Sequence, residues 1–242
     1  MRAIDVNIRR KAYGGGGGAK PVITGLSFAV EEGELVCLLG PSGAGKTTAL
    51  NIIAGLDSKF EGEVTFGTPD HRLSYVFQDP RLLPWRTLIE NVALPLKGRL
   101  DADAVAASWL DRVGLTGCHD LYPGQASVGM QRRAAIARAF AFGPAILLMD
   151  EPFVSLDEKA GSELRRLFVE LWKAEGVTTL FVTHNVAEAV ELATRVLIFS
   201  TSPAAIAADI DMAGFTGQGR SENAEHALRA ALDRTAPSLC PS

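Results

Sequence analysis

Cysteine is scarce. Cys37, Cys118 and Cys240 are the three in 242 residues, an odd number at wide spacings, which excludes a disulfide framework and a zinc site built on thiolates. A reducing cytoplasm is the compartment that this fits. An excess of positive charge is also missing: 24 Lys and Arg stand against 28 Asp and Glu, a formal net charge of −4. Both signs are mixed along the chain, so nucleic acid is not an expected partner. No uninterrupted apolar run is long enough to cross a bilayer. The opening MRAIDVNIRRKAY lacks the apolar core of a secretory signal. If a membrane is involved, the chain is expected to reach it through a partner. Its length suits one large α/β domain or two small ones, and one principal unit is expected.

What is present begins with Gly40, Pro41, Ser42, Gly43, Ala44, Gly45, Lys46, Thr47 and Thr48, which match the phosphate-loop pattern G-x-x-x-x-G-K-[ST]. The apolar run Leu35–Leu39 reads as a buried strand feeding the loop, and Thr47–Ala54, closed by Gly55, as the helix leaving it. Glycines at 40, 43 and 45 are expected to let the backbone approach a ligand, so that successive N–H groups and the helix start face an anionic phosphate chain. Lys46 then pairs with the β- and γ-phosphates, Thr47 offers its hydroxyl to Mg²⁺, and Thr48 offers a further hydroxyl.

Around the loop the periodicity predicts strands at Ala3–Ile8, Val22–Val30, Glu61–Phe66 and Leu73–Phe77. Gly14–Gly18 has no Lys-Thr behind it and reads as a flexible connector. Helices follow near Thr87–Leu94, Asp101–Val113 and Ser127–Ala141. Alternation then resumes: strand Ile146–Met149, helix Asp157–Glu175, strand Thr179–Val182, helix Val186–Leu192, strand Arg195–Phe199. Leu164, Leu167, Phe168, Leu171 and Trp172 share one helical face, and Gly176 ends that helix. Strands apolar on both faces imply a mainly parallel sheet covered by helices, whose ligands bind beyond the carboxyl ends of the strands. Gly40, Asp150 and His184 all follow such ends.

Asp150 and Glu151 can divide labour there, Asp150 near a Mg²⁺ shell and Glu151 holding or deprotonating the attacking water. Alone, the pair is an ordinary acidic turn. His184 can reach a γ-phosphate by a hydrogen bond. Gln78 can offer its amide oxygen to the metal or the water, though by itself it reads as a solvated loop residue. Ser127 is a good N-cap, and its hydroxyl with the first amides of its helix makes a second anion site only if a phosphate comes near.

Taken in order, Tyr13, GPSGAGKTT, Gln78, SVGMQRR, ILLMDE, Ser155–Asp157 and His184 resemble the ATP-binding subunit of ABC transporters, over about Ile4–Phe199. The resemblance implies an α/β phosphate-loop ATPase with a mainly parallel core sheet, an antiparallel β subdomain and a helical subdomain. It places the core at 1–78 and 145–200 and the helical subdomain at 79–144; the remainder, 201–242, carries no readable motif and is expected to be a loosely packed extension with a short helix at Glu222–Asp233. It implies ATP and Mg²⁺ as cofactors and a homodimer joined head to tail with ATP between the copies. Ser127 and Gly129 of one copy then meet the γ-phosphate held by Lys46 of the other. By the same resemblance Tyr13 stacks on adenine, Gln78 couples the site to the membrane subunits, and Asp157 communicates across the dimer.

The family signature usually reads Leu-Ser-Gly-Gly-Gln, whereas Ala126–Met130 places Val128 at a glycine position. A β-branched residue resists positive φ and crowds a close phosphate, so weaker phosphate closure is expected. Gln78–Leu96 and MDEPFVSLD look like bacterial importers of nitrate, sulfonates, taurine and related solutes. That likeness implies a peripheral subunit on the cytoplasmic face of the inner membrane, bound to permease subunits and indirectly served by an extracytoplasmic solute-binding protein. Leu82, Leu83, Pro84 and Trp85 are expected either beside the membrane subunit's coupling helix or in subdomain packing. A soluble ABC ATPase acting on DNA, ribosomes or a scaffold is the competing class. The tandem domains, coiled-coil insertion and basic arms usual in it are not seen.

Overall fold

The computed structural model describes residues 1–14, 20–68, 71–200, 203–215 and 220–235. The expected glycine connector lies outside them beyond Gly14. Two long strands, β1 (Arg2–Tyr13) and β2 (Lys20–Glu31), come first, then β3 (Leu35–Leu39), α1 (Lys46–Ile53) and β4 (Glu61–Phe66). β5 (Leu73–Val76) precedes α2 (Leu88–Ala93), α3 (Ala102–Arg112) and α4 (Val128–Ala141). Next come β6 (Ile146–Asp150), α5 (Glu158–Glu175), β7 (Thr178–Thr183), α6 (Val186–Leu192) and β8 (Arg195–Phe199). β9 (Ile206–Asp211) and α7 (Arg220–Asp233) follow. Two compact units result, Met1–Pro69 with Thr178–Ser242 and, separately, Asp70–Val177.

In the first unit β1 lies between β2 and β4, antiparallel to both. Ile4, Val6 and Ile8 point to one buried face while Asn7 and Arg9 stay exposed, the period-two pattern of a sheet wet on one side. β3 lies between β7 and β8, parallel to both. Every residue of β3 and β7 is buried, which requires cover on both faces of these strands. Register matters for the site: Leu39 is opposite Thr183 and Ile198, so Gly40, His184 and Phe199 leave from the same end of three adjacent strands.

The expectation of a loosely packed extension beyond Ser200 is corrected for residues 203–215 and 220–235. β9 pairs antiparallel with β8, and Ala224, Leu228 and Ala231 form a buried face of α7, which packs on α6. The short helix expected at Glu222–Asp233 is present as α7, and its small apolar residues recur at helical spacing, which packs it.

In the second unit β5 and β6 are parallel, with Val76 opposite Met149. Gln78 and Glu151 therefore follow neighbouring strand ends. Helices α2, α3 and α4 pack together, and an aromatic chain runs through the core. The Trp109 and Phe140 rings stack at 5.4 Å, Phe140 lies 6.4 Å from Phe168, and Phe168 lies 6.2 Å from Phe153. Asp157, expected as the first residue of the helix, instead caps the start of α5 by accepting from the Ala160 N–H; Gly176 at φ 65° ends it, as the sequence predicts.

Candidate functional site

The loop after β3 carries its glycines for different reasons. A Cβ at Gly40 would stand 3.0 Å from the Phe199 carbonyl oxygen, so the protein's own packing already crowds any larger residue there. Gly43 and Gly45 have φ of 79° and 82°, a region costly for residues with a Cβ. Gly45 is also the N-cap of α1, which opens at Lys46, one residue earlier than expected. Gly45 makes no side-chain cap bond and the first turn holds no acidic residue, a helix start whose positive end suits an anion.

Lys46 is only 4% exposed. Its ammonium donates to the carbonyl oxygens of Gly40 at 2.7 Å and Pro41 at 2.8 Å, and so lies within the loop it serves. Pro41, Ser42, Gly43 and Thr47 are exposed, Gly45 and Thr48 are half-buried, and Ala44 is buried beneath them. Cys37, in β3, is fully buried; burial first and the Glu188 carboxylate second hold its thiol protonated well above the ordinary range, which leaves it inert.

His184 is exposed at the carboxyl end of β7, in a turn fixed from both sides. The Thr183 hydroxyl accepts from the Asn185 N–H at 3.0 Å and donates to the Glu188 carboxylate at 2.5 Å, while the Asn185 side chain accepts from the Ala187 N–H. Glu188, which sequence reasoning missed, is 7% exposed. An acidic residue on the buried face of α6 was its signal.

Tyr13 ends β1 half exposed. Its hydroxyl donates to Asp57 at 3.0 Å, and the Lys11 ammonium stands 4.5 Å from its ring centroid. The hydrogen bond from Lys11 is the main reason the Asp57 carboxyl is held below its ordinary range.

The second unit holds the remaining candidates. Asp150, the last residue of β6, is 7% exposed. Burial, and then the Asp150 charge, push the Tyr75 hydroxyl well up. Glu151 adopts φ 45°, left-handed for a residue with a full side chain. Gln78 is exposed. Arg132 of α4 joins the two loops: its Nη1 donates to the Gln78 carbonyl at 3.1 Å and the Pro152 carbonyl at 2.9 Å. Arg138, two turns on, holds the carbonyls of Pro80 and Arg81. Neither arginine is singled out by sequence reasoning, because a carbonyl acceptor leaves no mark in the sequence.

Ser127 is the N-cap of α4, its hydroxyl accepting from the Met130 N–H at 3.2 Å. A Cβ at Gly129 would meet the Ser127 hydroxyl at 4.0 Å, an ordinary contact, so packing among the described residues does not demand glycine there. The expectation that Val128 is strained is corrected. It is the first residue of α4, and among the described residues the non-glycine positions with positive φ are Arg81, Glu151 and Ser155. What remains of the objection is bulk, since Val128 is 52% exposed at the helix start.

The phosphate loop of the first unit, with Lys46 inside it and Thr47 exposed at the start of α1, fits a nucleoside triphosphate with magnesium. Among the described residues no cluster of His, Cys, Asp or Glu could hold a metal unaided. Magnesium bound by one carboxylate, one hydroxyl and the phosphates themselves needs no such cluster.

Comparison with known proteins agrees. The ABC transporter family model matches residues 23–154. The aliphatic sulfonates import ATP-binding protein SsuB of Bacillus thuringiensis subsp. konkukian is 39% identical over 210 residues, 84% of this chain and 83% of its own length. A second protein of that description, SsuB 2 of Rhizobium johnstonii, is 46% identical over 179 residues, 74% of this chain and 71% of its own length. Among solved structures, a dimeric ATP-binding cassette in a post-hydrolysis state with ADP and Pi superposes with a TM-score of 0.76. It is 31% identical, over 86% of this chain and 98% of its own. An α/β phosphate-loop core with antiparallel and helical parts and matching relatives of this closeness support one conclusion: the chain belongs to the ABC transporter family, as an ATP-binding and ATP-hydrolysing subunit.

Proposed function

We propose that this chain powers import of a small solute of the nitrate, sulfonate and taurine class, working as a head-to-tail pair of copies bound to permease subunits on the cytoplasmic face of the inner membrane. The observation that carries the solute class is the identity of 39% and 46% to proteins named for import of aliphatic sulfonates. Choice of solute falls to the permease and an extracytoplasmic binding protein. The core is taken as 1–78 and 145–200, with the helical subdomain at 79–144.

In this reading Gly40–Thr48 binds the triphosphate through backbone N–H groups, Lys46 neutralises the β- and γ-phosphates, and Tyr13 stacks on adenine. Thr47, Asp150 and Gln78 hold Mg²⁺, which when bound neutralises charge developing on the phosphates. Glu151 takes a proton from the attacking water and His184 holds the γ-phosphate. Ser127 and Gly129 present the start of α4 to ATP on the second copy. Its exposed hydroxyl and uncrowded glycine support that role.

Docking on the permease is assigned to Leu82–Trp85. Buried Asn91 holds this loop, its Oδ1 accepting from the Leu83 N–H and its Nδ2 donating to the carbonyls of Leu83, Arg86 and Thr87. Trp85 stands 69% exposed on that fixed loop, which suits an aromatic anchor for a partner.

Affinity purification from membranes is expected to bring down a permease, and deletion of the chain to stop growth on an alkanesulfonate as sole sulfur source. Recovery only with ribosomes or DNA overturns the reading. Val128→Gly in the assembled transporter is expected to raise ATPase turnover and tighten ATP binding several-fold by removing bulk at the start of α4. A variant neither faster nor tighter removes the steric argument.

A further inference from the structure

Lys11 is an anomaly in its strand. β1 otherwise buries apolar residues, yet here a lysine side chain is 2% exposed. A buried ammonium is costly unless paired and hydrogen-bonded, and this one is both: it lies 2.6 Å from Asp57 and donates to the Lys59 carbonyl at 2.8 Å. Asp57 does more than neutralise it. The same carboxylate accepts the Tyr13 hydroxyl at 3.0 Å and the Lys59 N–H at 3.1 Å.

Lys11 and Tyr13 are two apart in β1, and both side chains reach the same Asp57 carboxylate, so they lie on one side of the strand. The ammonium then covers one side of the Tyr13 ring while half of the residue stays open to solvent. Asp57 itself belongs to the turn that ends α1, where the N–H groups of Leu56 and Asp57 both donate to the Asn51 carbonyl. The helix that starts at the phosphate loop is thereby tied, at its other end, to the ring assigned to the base. A phenol held at its hydroxyl and along one face has one orientation to offer; an untethered tyrosine at a strand end must be ordered when the ligand arrives.

We propose that Asp57 and Lys11 are positioning residues for the nucleotide base, locking the Tyr13 ring so that its open face is ready to stack on a purine. This rests on the reading of Tyr13 as the adenine-stacking residue. It assigns a function to a buried charge pair that phosphate binding leaves unused, and it separates base affinity from phosphate affinity.

The test compares two probes on the full chain by titration calorimetry: Mg-ATP, and magnesium tripolyphosphate, which has the phosphates but no base. Tyr13→Phe keeps the ring and loses only its bond to Asp57; Asp57→Ala loses the whole tether. Each is expected to weaken ATP binding about five- to tenfold, part of what a base stack is worth, and to leave tripolyphosphate binding unchanged. Adding Asp57→Ala to Tyr13→Ala is expected to cost ATP no further affinity. Should Asp57→Ala leave an unpaired lysine that disturbs folding, Lys11→Met with Asp57→Leu replaces the pair by an apolar one, and the same loss for ATP alone is expected. Equal losses for both probes, or no loss for ATP in Tyr13→Phe and the apolar pair, overturn the proposal. If Tyr13→Ala weakens ATP while these variants do not, positioning fails and stacking stands; if Tyr13→Ala is itself without effect, both fall.

Discussion

Glu151→Gln is expected to keep ATP affinity while cutting turnover roughly 10²- to 10⁴-fold, the usual worth of a positioned general base. On the barrier this is about 3–5 kcal/mol. The carboxylate follows β6, whose last residue, Asp150, is buried, and its backbone is held at φ 45°. Such a conformation costs on the order of 1–3 kcal/mol and persists where the surroundings impose it. Glutamine matches glutamate in length and has a similar backbone preference, so the variant keeps the turn and loses the ability to take a proton from water. Thermal stability is therefore expected to stay within about 0.5 kcal/mol of the parent, as for a substitution that disturbs no packing. Phosphate release measured with saturating Mg-ATP gives the rate, and size-exclusion chromatography in ATP shows whether a dimer accumulates. Turnover near the parent rate rejects Glu151 as the base. Glu151→Gly separates the two features of the residue: it is expected to be equally inactive, yet it removes the side chain from a strained position and isolates the conformational cost.

Much of the fold was legible because its strands are apolar on both faces and its helices on one. Glu61–Phe66, Val186–Leu192 and Arg195–Phe199 have the predicted bounds, and the predicted face of α5 buries Leu164, Phe168 and Leu171. The misses have physical causes. β1 continues to Tyr13 through Arg9, Arg10 and Lys11, a charged run that hides a strand because the lysine pays for its burial with Asp57, a partner 46 residues away. β9 alternates half-buried and exposed residues but consists of Ile, Ala and Asp, too little bulk to stand out beside its neighbours. At the site, the loop's place between β3 and α1 was legible because backbone conformation and side-chain chemistry both act there within nine positions, although α1 opens one residue early. Gly40 shows the limit: its spacing looks like a demand of the ligand, whereas its nearest obstacle is Phe199, which arrives from a different strand. Val128 shows the same limit in reverse, since a glycine in a motif need not mean a positive φ in the fold.

Arg132 is the largest single side-chain cost expected outside the phosphate loop. It is 7% exposed, and among the described residues no carboxylate forms an ion pair with it; its Nε is buried without a partner. Burial pulls its pKa down, against the smaller opposing effect of Asp79. Taking such a charge out of water is unfavourable, and the return is two carbonyl oxygens, Gln78 and Pro152, held by one nitrogen. Those carbonyls belong to the loops that carry Gln78 and Glu151. Arg132→Leu leaves both acceptors without their donor, at about 1–3 kcal/mol for each one that water cannot reach, so a loss of roughly 2–4 kcal/mol in urea unfolding is expected. The filled volume and the removed desolvation offset part of that loss. Arg132→Lys keeps the charge but offers a compact ammonium in place of the planar fork. It is expected to recover at least half the stability and to lower kcat about tenfold, with KM for ATP within a factor of two. That split distinguishes loop positioning from general softening, which would raise KM as well. If Arg132→Lys turns over at the parent rate, either carbonyl can be held without the other, and the arginine serves stability alone.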